Sequence, residues 1–353
     1  MVSDGQAFDY AVECIDVWKI FGARAGEALV AARDGLGRQE IRDQFGCVLA
    51  VAGANLSISE GEIFCIIGLS GSGKSTLLRH INRLIEPTAG EIRIAGRGIG
   101  ALGDKALRAL RAKSIGMVFQ NMALLPHRTV RDNVVLGLEL RGVTRDKRNV
   151  IADEKLALVG LERWANHMPH ELSGGMQQRI GLARALAADP SVLLMDEPFS
   201  ALDPLIRRQL QDQFIALSAV MKKTTLFVTH DIDEAVRIGN RIAIMRDGVV
   251  VQSGTAEEIV GRPANDYVAS FVRGVSRLEV TRAHSLMQPW AQWSERLGAE
   301  QACPVAHADA SLGELIRLSV GQPAPIKVLD GGQPVGVITK DALLRGIQME
   351  QAA

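Results

Sequence analysis

Eight consecutive residues, Gly68-Leu69-Ser70-Gly71-Ser72-Gly73-Lys74-Ser75, keep the spacing G-x-x-x-x-G-K-[ST]. Glycines at those places let a backbone curl until successive N–H groups converge on phosphate oxygens. The start of a following helix adds the positive end of its dipole. In such a loop Lys74 would reach the β- and γ-phosphates, the Ser75 hydroxyl would ligate Mg2+, and Thr76 would sit near the α-phosphate. A second group lies far downstream: Ser191–Pro198 (SVLLMDEP) is an apolar run ending in two carboxylates. Asp196 would hold Mg2+, usually through water, and Glu197 would polarise an attacking water. Between the two, Leu172–Arg179 (LSGGMQQR) opens a helical pattern with a serine, so its exposed N–H groups make another phosphate-binding surface. That surface is distant in sequence from Lys74 and need not serve the same nucleotide.

These residues need a scaffold, and the flanking patterns supply one. The apolar run Ile63–Ile67 reads as a strand entering the loop. Leu77, Leu78, Ile81 and Leu84 leave it at helical spacing. From Val48 to about Gly274 short apolar strands alternate with helical patterns, which predicts α/β layers. Phe64–Ile67, Val192–Met195, Thr225–Val228 and Arg241–Met245 are almost continuously apolar, as in sheets covered by helices on both faces. Residues 10–22 alternate like a strand, and residues 23–47 read as one or two short helices. Residues 275–303 have weak periodicity and look like a connector. Residues 304–347 form a helix–strand–strand–helix pattern: Ser311–Val320, Pro325–Leu329, Pro334–Thr339 and Lys340–Gly346. Gly98-Ile99-Gly100-Ala101-Leu102-Gly103 fits the dinucleotide pattern G-x-G-x-x-G. It lacks the acidic residue about 20 positions on that would hold a ribose, so it reads as a surface loop.

Composition narrows the classes further. The chain has 353 residues, 40 Lys+Arg against 40 Asp+Glu, 47% hydrophobic residues and 4% aromatics. That length predicts about two domains and a core that needs no staples. A net charge of zero argues against binding nucleic acid wholesale, and few aromatics argue against a base-stacking platform. No stretch approaches the roughly 20 apolar residues of a membrane-spanning helix, so no direct membrane insertion is expected. The N-terminus carries Asp4 and Asp9 with no signal segment, and four scattered cysteines form no CxxC pair; a cytosolic chain with reduced thiols follows. His80, His127, His284 and His307 are isolated, and His167 and His170 lack a third ligand, so none is expected to bind metal. Cys65 reads as core filler, Met117 and Met122 as core packing, and Arg108, Arg111 and Lys113 as a solvated helix face.

LSGGMQQR, standing between a phosphate loop and LLMDEP, resembles the signature of ABC-type ATPases. The other family elements follow in order over about residues 10–274. Gln120 in MVFQNM resembles the lid glutamine, Ser200-Ala201-Leu202-Asp203 the D-loop, and His230 in FVTHD the switch histidine. Phe21, or Trp18 in its place, falls where the family stacks an aromatic on adenine. The resemblance implies a P-loop NTPase cassette with a RecA-like core, an antiparallel β subdomain and a helical subdomain at about 121–185. It implies ATP and Mg2+ as ligands, with Ser75, Gln120 and Asp196 around the metal and Glu197, His230, Lys74 and Gln120 in hydrolysis. Phe21, Gly68, Ser70, Gly71, Ser72, Gly73, Lys74, Ser75 and Thr76 would hold the nucleotide. In such proteins two chains meet head to tail, so Ser173, Gly174, Gly175, Gln177 and Asp203 would complete the partner's site.

Finer resemblance points to one branch. KSTLLRHINRLIEPTAGEI, MDEPFSALDPLIR, HDIDEAVRIGNRIAIMRDG and RPANDYVASFVRGV resemble ATPase subunits of glycine betaine/proline/choline importers. So does the helical insertion at about 23–47, to which the sequence assigns no chemistry. This implies a homodimer at the cytoplasmic face of the cell membrane. It would dock on an integral membrane permease fed by a periplasmic or lipid-anchored binding protein, with Gln120–Arg128 receiving the permease. An importer motor for an amino acid or polyamine, or a soluble ABC ATPase outside transport, is the alternative. The expected division is a cassette at 1–274, a linker at 275–303 and one CBS-like α+β module at 304–353. PVGVITKDALL carries the module's recognisable end, while part of its first strand is missing. Such a module would sense ionic strength or nucleotide, or only brace a dimer.

Overall fold

Strand propensity and burial agree best where the chain is apolar on both faces. The computed structural model describes residues 10–120, 122–200, 202–293 and 303–351; Asn121, Ala201 and 294–302 of the expected connector lie outside them. The chain divides into two compact units, Met1–Ser253 and Gly254–Ala353.

The first unit holds strands β1 (Val12–Phe21), β2 (Val48–Ile58), β3 (Ile63–Ile67), β4 (Ala89–Ile94), β5 (Arg97–Gly98), β6 (Ile115–Val118), β7 (Val192–Asp196), β8 (Thr224–Thr229), β9 (Arg241–Arg246) and β10 (Val249–Gly254). One sheet has the order β2-β1-β4-β5 and antiparallel pairing. The other has the order β10-β9-β3-β8-β7-β6, with β9, β3, β8, β7 and β6 mutually parallel. Every residue of β3, β7 and β8 is buried, which explains runs that show no alternation. These are the α/β layers expected from the sequence.

Helices α1 (Ala25–Arg33) and α2 (Arg38–Phe45) form the insertion. Ala28, Ala32, Ile41 and Cys47 bury against Ile20 and Leu49 of β1 and β2, so the insertion has its own small core. Helix α3 (Lys74–Ile81) leaves the phosphate loop. Its Leu77, Leu78 and Ile81 are fully buried in the main core, between Phe64 and Ile66 of the parallel sheet and Val51 and Ile92 of the antiparallel one. Helices α4 (Asp104–Ser114), α5 (Val130–Val134), α6 (Leu136–Leu140), α7 (Arg145–Leu158) and α8 (Gly174–Leu186) follow. Val130, Val134, Leu138, Leu156, Ile180 and Ala183 give α5 to α8 a separate core. Helices α9 (Pro204–Met221) and α10 (Ile232–Ile238) complete the unit.

The second unit begins earlier than the periodicity suggested. Residues 254–274, expected to close the cassette, pack with the chain that follows: Arg277 donates to the Val260 carbonyl, and Ser285 Oγ donates to Glu257 Oε2 at 2.7 Å. The segment read as a connector holds the one-turn helices Arg277–Val280 and Ala283–Leu286 and the short strand Gln288–Pro289. Pieces of one turn cannot generate helical periodicity, so the pattern looked empty. A four-stranded sheet orders Gln288–Pro289, Gln333–Ile338, Ile326–Asp330 and Val305–His307, with helices Leu312–Ser319 and Lys340–Gln351. Strand Val305–His307 is only three residues long and runs parallel to Ile326–Asp330. Ala283, Leu312, Leu315, Ile326, Val328 and Ile338 form the core of this unit.

Candidate nucleotide-binding site

The loop between β3 and α3 is shaped by contacts only glycine permits. Gly68 has φ +155° and Gly73 φ +103°; a Cβ would lie 2.2 Å from the Met245 carbonyl oxygen at the first and 2.3 Å from that of Ala50 at the second. Inside this tight loop the Ser72 hydroxyl is buried without a partner among the described residues. A buried polar atom without a partner costs free energy, and a phosphate oxygen is a suitable partner for it. Lys74 is only 5% exposed, and its Nζ donates to the carbonyls of Gly68 at 2.9 Å and Leu69 at 3.1 Å. Burial lowers the Lys74 pKa, while the nearby Glu197 and Asp196 carboxylates pull it back up.

Parallel pairing places the ends of β7 and β8 beside this loop. Asp196, 2% exposed, accepts from Ser75 Oγ at 2.7 Å and from Arg79 Nη2 at 3.0 Å. Arg79 is the Asp196 partner that sequence reading passed over; it stands four residues after Ser75, on the same face of α3. Glu197 sits just past the strand with φ +47°, a conformation costly for a non-glycine residue and found disproportionately at functional sites. Its N–H donates to the Val228 carbonyl at 2.9 Å, and its Oε2 lies 3.2 Å from His230 Nδ1.

A cleft of about 730 Å³ opens over the loop. Phe21, Ser70, Gly71, Gly73, Lys74, Ser75, Thr76, Gln120, Glu197 and His230 line it together, a volume ordinary for a small-ligand site. Phe21 pairs across the sheet with Val48, which also lines the cleft, and the Lys19 ammonium lies 4.8 Å from the Phe21 ring. Trp18 does not line it: its Nε1 donates to Asp16 Oδ1 at 2.6 Å, and the Arg33 guanidinium covers its ring at 5.7 Å. Asp196 reaches the site through Ser75. Arg38 of the insertion also lines the cleft, and no local sequence signal marks it.

The remaining residues gather elsewhere. Ser173 caps α8, accepting from the Met176 N–H at 3.4 Å. Asp203 caps α9, accepting from the Ile206 N–H at 3.1 Å. Gln177 donates to the carbonyls of Pro169 and Leu172. A Cβ on Gly175 would come within 2.9 Å of Ile206 Cγ2, so α8 and α9 pack closely at this point. Within one chain, then, Ser173, Gly174, Gly175, Gln177 and Asp203 do not line the cleft above Lys74.

Comparison with known proteins agrees with this geometry. Residues 51–200 match the ABC transporter family. The chain is 52% identical over 275 residues to the glycine betaine/proline betaine transport system ATP-binding protein ProV of Escherichia coli K12, covering 78% of this chain and 69% of that one. It is 44% identical over 330 residues to the trimethylamine N-oxide transport system ATP-binding protein TmoW of Ruegeria pomeroyi, covering 93% and 94%. Among solved structures, the ATP-binding cassette MJ0796, dimeric in a post-hydrolysis state with ADP and Pi, matches with a TM-score of 0.58 at 36% identity over 69% of this chain and 98% of that one. CbiO1 of Clostridium perfringens, part of the cbiONQ transporter complex, matches with a TM-score of 0.60 at 25% identity over 77% and 98%. With half of its aligned residues shared along two thirds of a full-length relative, the chain belongs to the ABC transporter family as one of its ATP-binding, ATP-hydrolysing cassettes.

Proposed function

We propose that this chain is the motor subunit of an importer for a quaternary-amine osmolyte of the glycine betaine, choline or proline betaine type. The observation that carries the reading is the 52% identity to a glycine betaine/proline betaine transport ATP-binding protein. A small N-methylated solute of the trimethylamine N-oxide kind is the second reading, favoured by the relative matched almost end to end. The motor would work as a homodimer, as the MJ0796 cassette is dimeric. It would dock from the cytoplasmic face on a permease supplied by a binding protein, with the Gln120–Arg128 surface as its contact. Among the described residues no helix is long and apolar enough to cross a membrane. Residues 304–353, where Leu312–Ser319, Ile326–Asp330, Gln333–Ile338 and Lys340–Gln351 follow in helix–strand–strand–helix order, would act as a single CBS-like module.

The side chains present suit a nucleotide with its metal. Ser75 and Asp196 offer hard oxygen donors of the kind Mg2+ prefers, and Gln120 lines the same cleft. Among the described residues no group of three His, Cys, Asp or Glu could hold a metal, and Ser75 and Asp196 are the oxygen donors that would meet the ion. Bound there, Mg2+ would neutralise charge developing between the β- and γ-phosphates. Lys74 would exchange its bonds to the Gly68 and Leu69 carbonyls for phosphate oxygens. Glu197 would orient the attacking water, and His230, held by Glu197, would contact the γ-phosphate. Ser173 and the Gly174 and Gly175 N–H groups of a second chain would close the site, and phosphoryl transfer depends on such positioning.

Uptake of labelled glycine betaine, choline and trimethylamine N-oxide in a strain deleted for this gene tests the reading. Restoration by the wild-type chain, and not by Glu197→Gln, is the expected result. The Gln variant should keep ATP binding and lose about 100-fold or more of turnover, the usual worth of a general base. Uptake of all three solutes unaffected by the deletion would overturn the substrate assignment; near-normal hydrolysis by Glu197→Gln would overturn the role of Glu197.

A further inference from the structure

The insertion of α1 and α2 reaches the phosphate loop through one side chain. Arg38 opens α2 directly after Gly37, whose N–H is held by Glu40 Oε2 at 2.7 Å, and Ile41 one turn on is fully buried. The guanidinium is therefore carried on an anchored helix start. Its Nη1 donates to the Gly71 carbonyl at 3.0 Å and lies 3.6 Å from Asp247 Oδ1 in the turn between β9 and β10. In the same turn Gly248 N–H donates to the Ser72 carbonyl at 3.0 Å. Together with Lys74, these contacts engage four carbonyls of the loop, those of Gly68, Leu69, Gly71 and Ser72. C=O and N–H of a trans peptide point in opposite directions. Pinning the Gly71 carbonyl thus holds the same peptide whose N–H, that of Ser72, donates to the Leu69 carbonyl at 3.1 Å, so both sides of that peptide are fixed within the loop. Arg38 also lines the cleft itself, 37% exposed, so its charge faces the space the phosphates would fill.

We propose that the insertion exists to deliver Arg38 as a positioning residue for the nucleotide's phosphates, with Asp247 as the counter-charge that moderates it. The guanidinium holds the loop in its anion-receiving shape and adds a positive charge beside Lys74. It acts on affinity, since Glu197 and His230, which carry the chemistry, do not touch it. This inference rests on the cleft being the ATP site.

The test is ATP affinity, read with a fluorescent ATP analogue, alongside steady-state hydrolysis by the purified chain. Arg38→Ala should raise Kd and KM about five- to tenfold, the scale of one charge-assisted contact in a half-exposed site, with kcat changed less than about twofold. Arg38→Lys should recover most of the affinity; Arg38→Gln, which keeps a donor and loses the charge, should stay near the Ala variant. Asp247→Asn should move the other way and tighten binding. The Arg38→Ala defect should shrink as salt rises, because the added charge is screened. Unchanged affinity in Arg38→Ala, or a fall in kcat at unchanged Kd, overturns the proposal. Lys74→Ala separates the two failures: if it too binds ATP normally, the cleft is not the nucleotide site. If it loses ATP while Arg38→Ala does not, only the role of Arg38 is lost.

Discussion

Around Lys74 the side chains are buried or half-buried and hydrogen-bonded within their own chain, whereas the helix start at Ser173 faces solvent. Asp196 accepts from Ser75 and Arg79 at 2.7 and 3.0 Å, and Lys74 donates to two carbonyls of its own loop at 2.9 and 3.1 Å, all inside one protomer. Ser173 and Gly174 are exposed, and the Ser173 hydroxyl makes only a long capping bond at 3.4 Å. Both are helix N-termini, so both offer N–H groups to an anion. Only the first also carries a cation and carboxylates already positioned by its own chain, the condition under which polar groups stabilise developing charge without reorganising. The second is rigid, since Gly175 is wedged against Ile206 of α9, but it lacks the cation and the carboxylates. One chain therefore presents one finished surface and one bare surface, which is what a head-to-tail pair requires if each site draws on both protomers.

The largest effect that would break this comparison is all-or-none. Chains carrying Lys74→Ala lack the first surface, and chains carrying Ser173→Arg lack the second. Alone, each should be inactive. Mixed one to one, half of the pairs contain both kinds of chain, and in those one of the two composite sites is wild type. The mixture should recover about a quarter of wild-type turnover if paired surfaces make the site. A mixture as inactive as its components, with pairing checked by co-capture, would mean that each chain builds its site alone.

A smaller effect sharpens the description of the finished half. Phe21 lines the cleft and Trp18 does not, so Phe21→Ala should raise KM for ATP about tenfold, within the range of about 1–3 kcal/mol for a base–aromatic stack. Trp18→Ala should leave KM near wild type. The reverse pattern would move adenine to the other aromatic.

That pair of aromatics also shows where sequence reading stops. Gly68–Ser75 and Ser191–Pro198 were legible because each packs its chemistry into eight neighbouring residues, and the strands beneath them are plain apolar runs. Phe21 and Trp18 stand on one strand, and strict alternation would have decided between them. That strand is irregular: Asp16 has φ +46°, and register shifts separate Cys14 from Val17, Val17 from Lys19 and Lys19 from Ile20. A bulge re-aims side chains in a way that period-two counting cannot follow. Arg38 was invisible for a different reason. Its partners, Gly71 and Asp247, lie 33 and more than 200 positions away, and only the packing of Ile41 and Cys47 brings them together. The short helices of 277–286 escaped because one turn leaves no period to count.

The smallest expected effect concerns the charge state of the finished half. Burial lowers the Lys74 pKa against the pull of Glu197 and Asp196, so the folded value lies below the unfolded one, ordinarily about 10.4. Between the two values the unfolded chain binds more protons, so stability should rise with pH across that window. ATP affinity should move the opposite way if Lys74 holds the phosphates as proposed, because its ammonium is lost as pH climbs through the folded value. The wild-type chain should therefore lose affinity at a lower pH than a free lysine would dictate, while the thermal midpoint of the nucleotide-free chain gains slightly. Lys74→Arg does not titrate in this range; whatever affinity it retains should stay flat, and the gain in midpoint should vanish. An alkaline limb of equal steepness in the Arg variant would place the titration on another group. It would also remove burial of Lys74 as a distinguishing property of the surface that the chain completes alone.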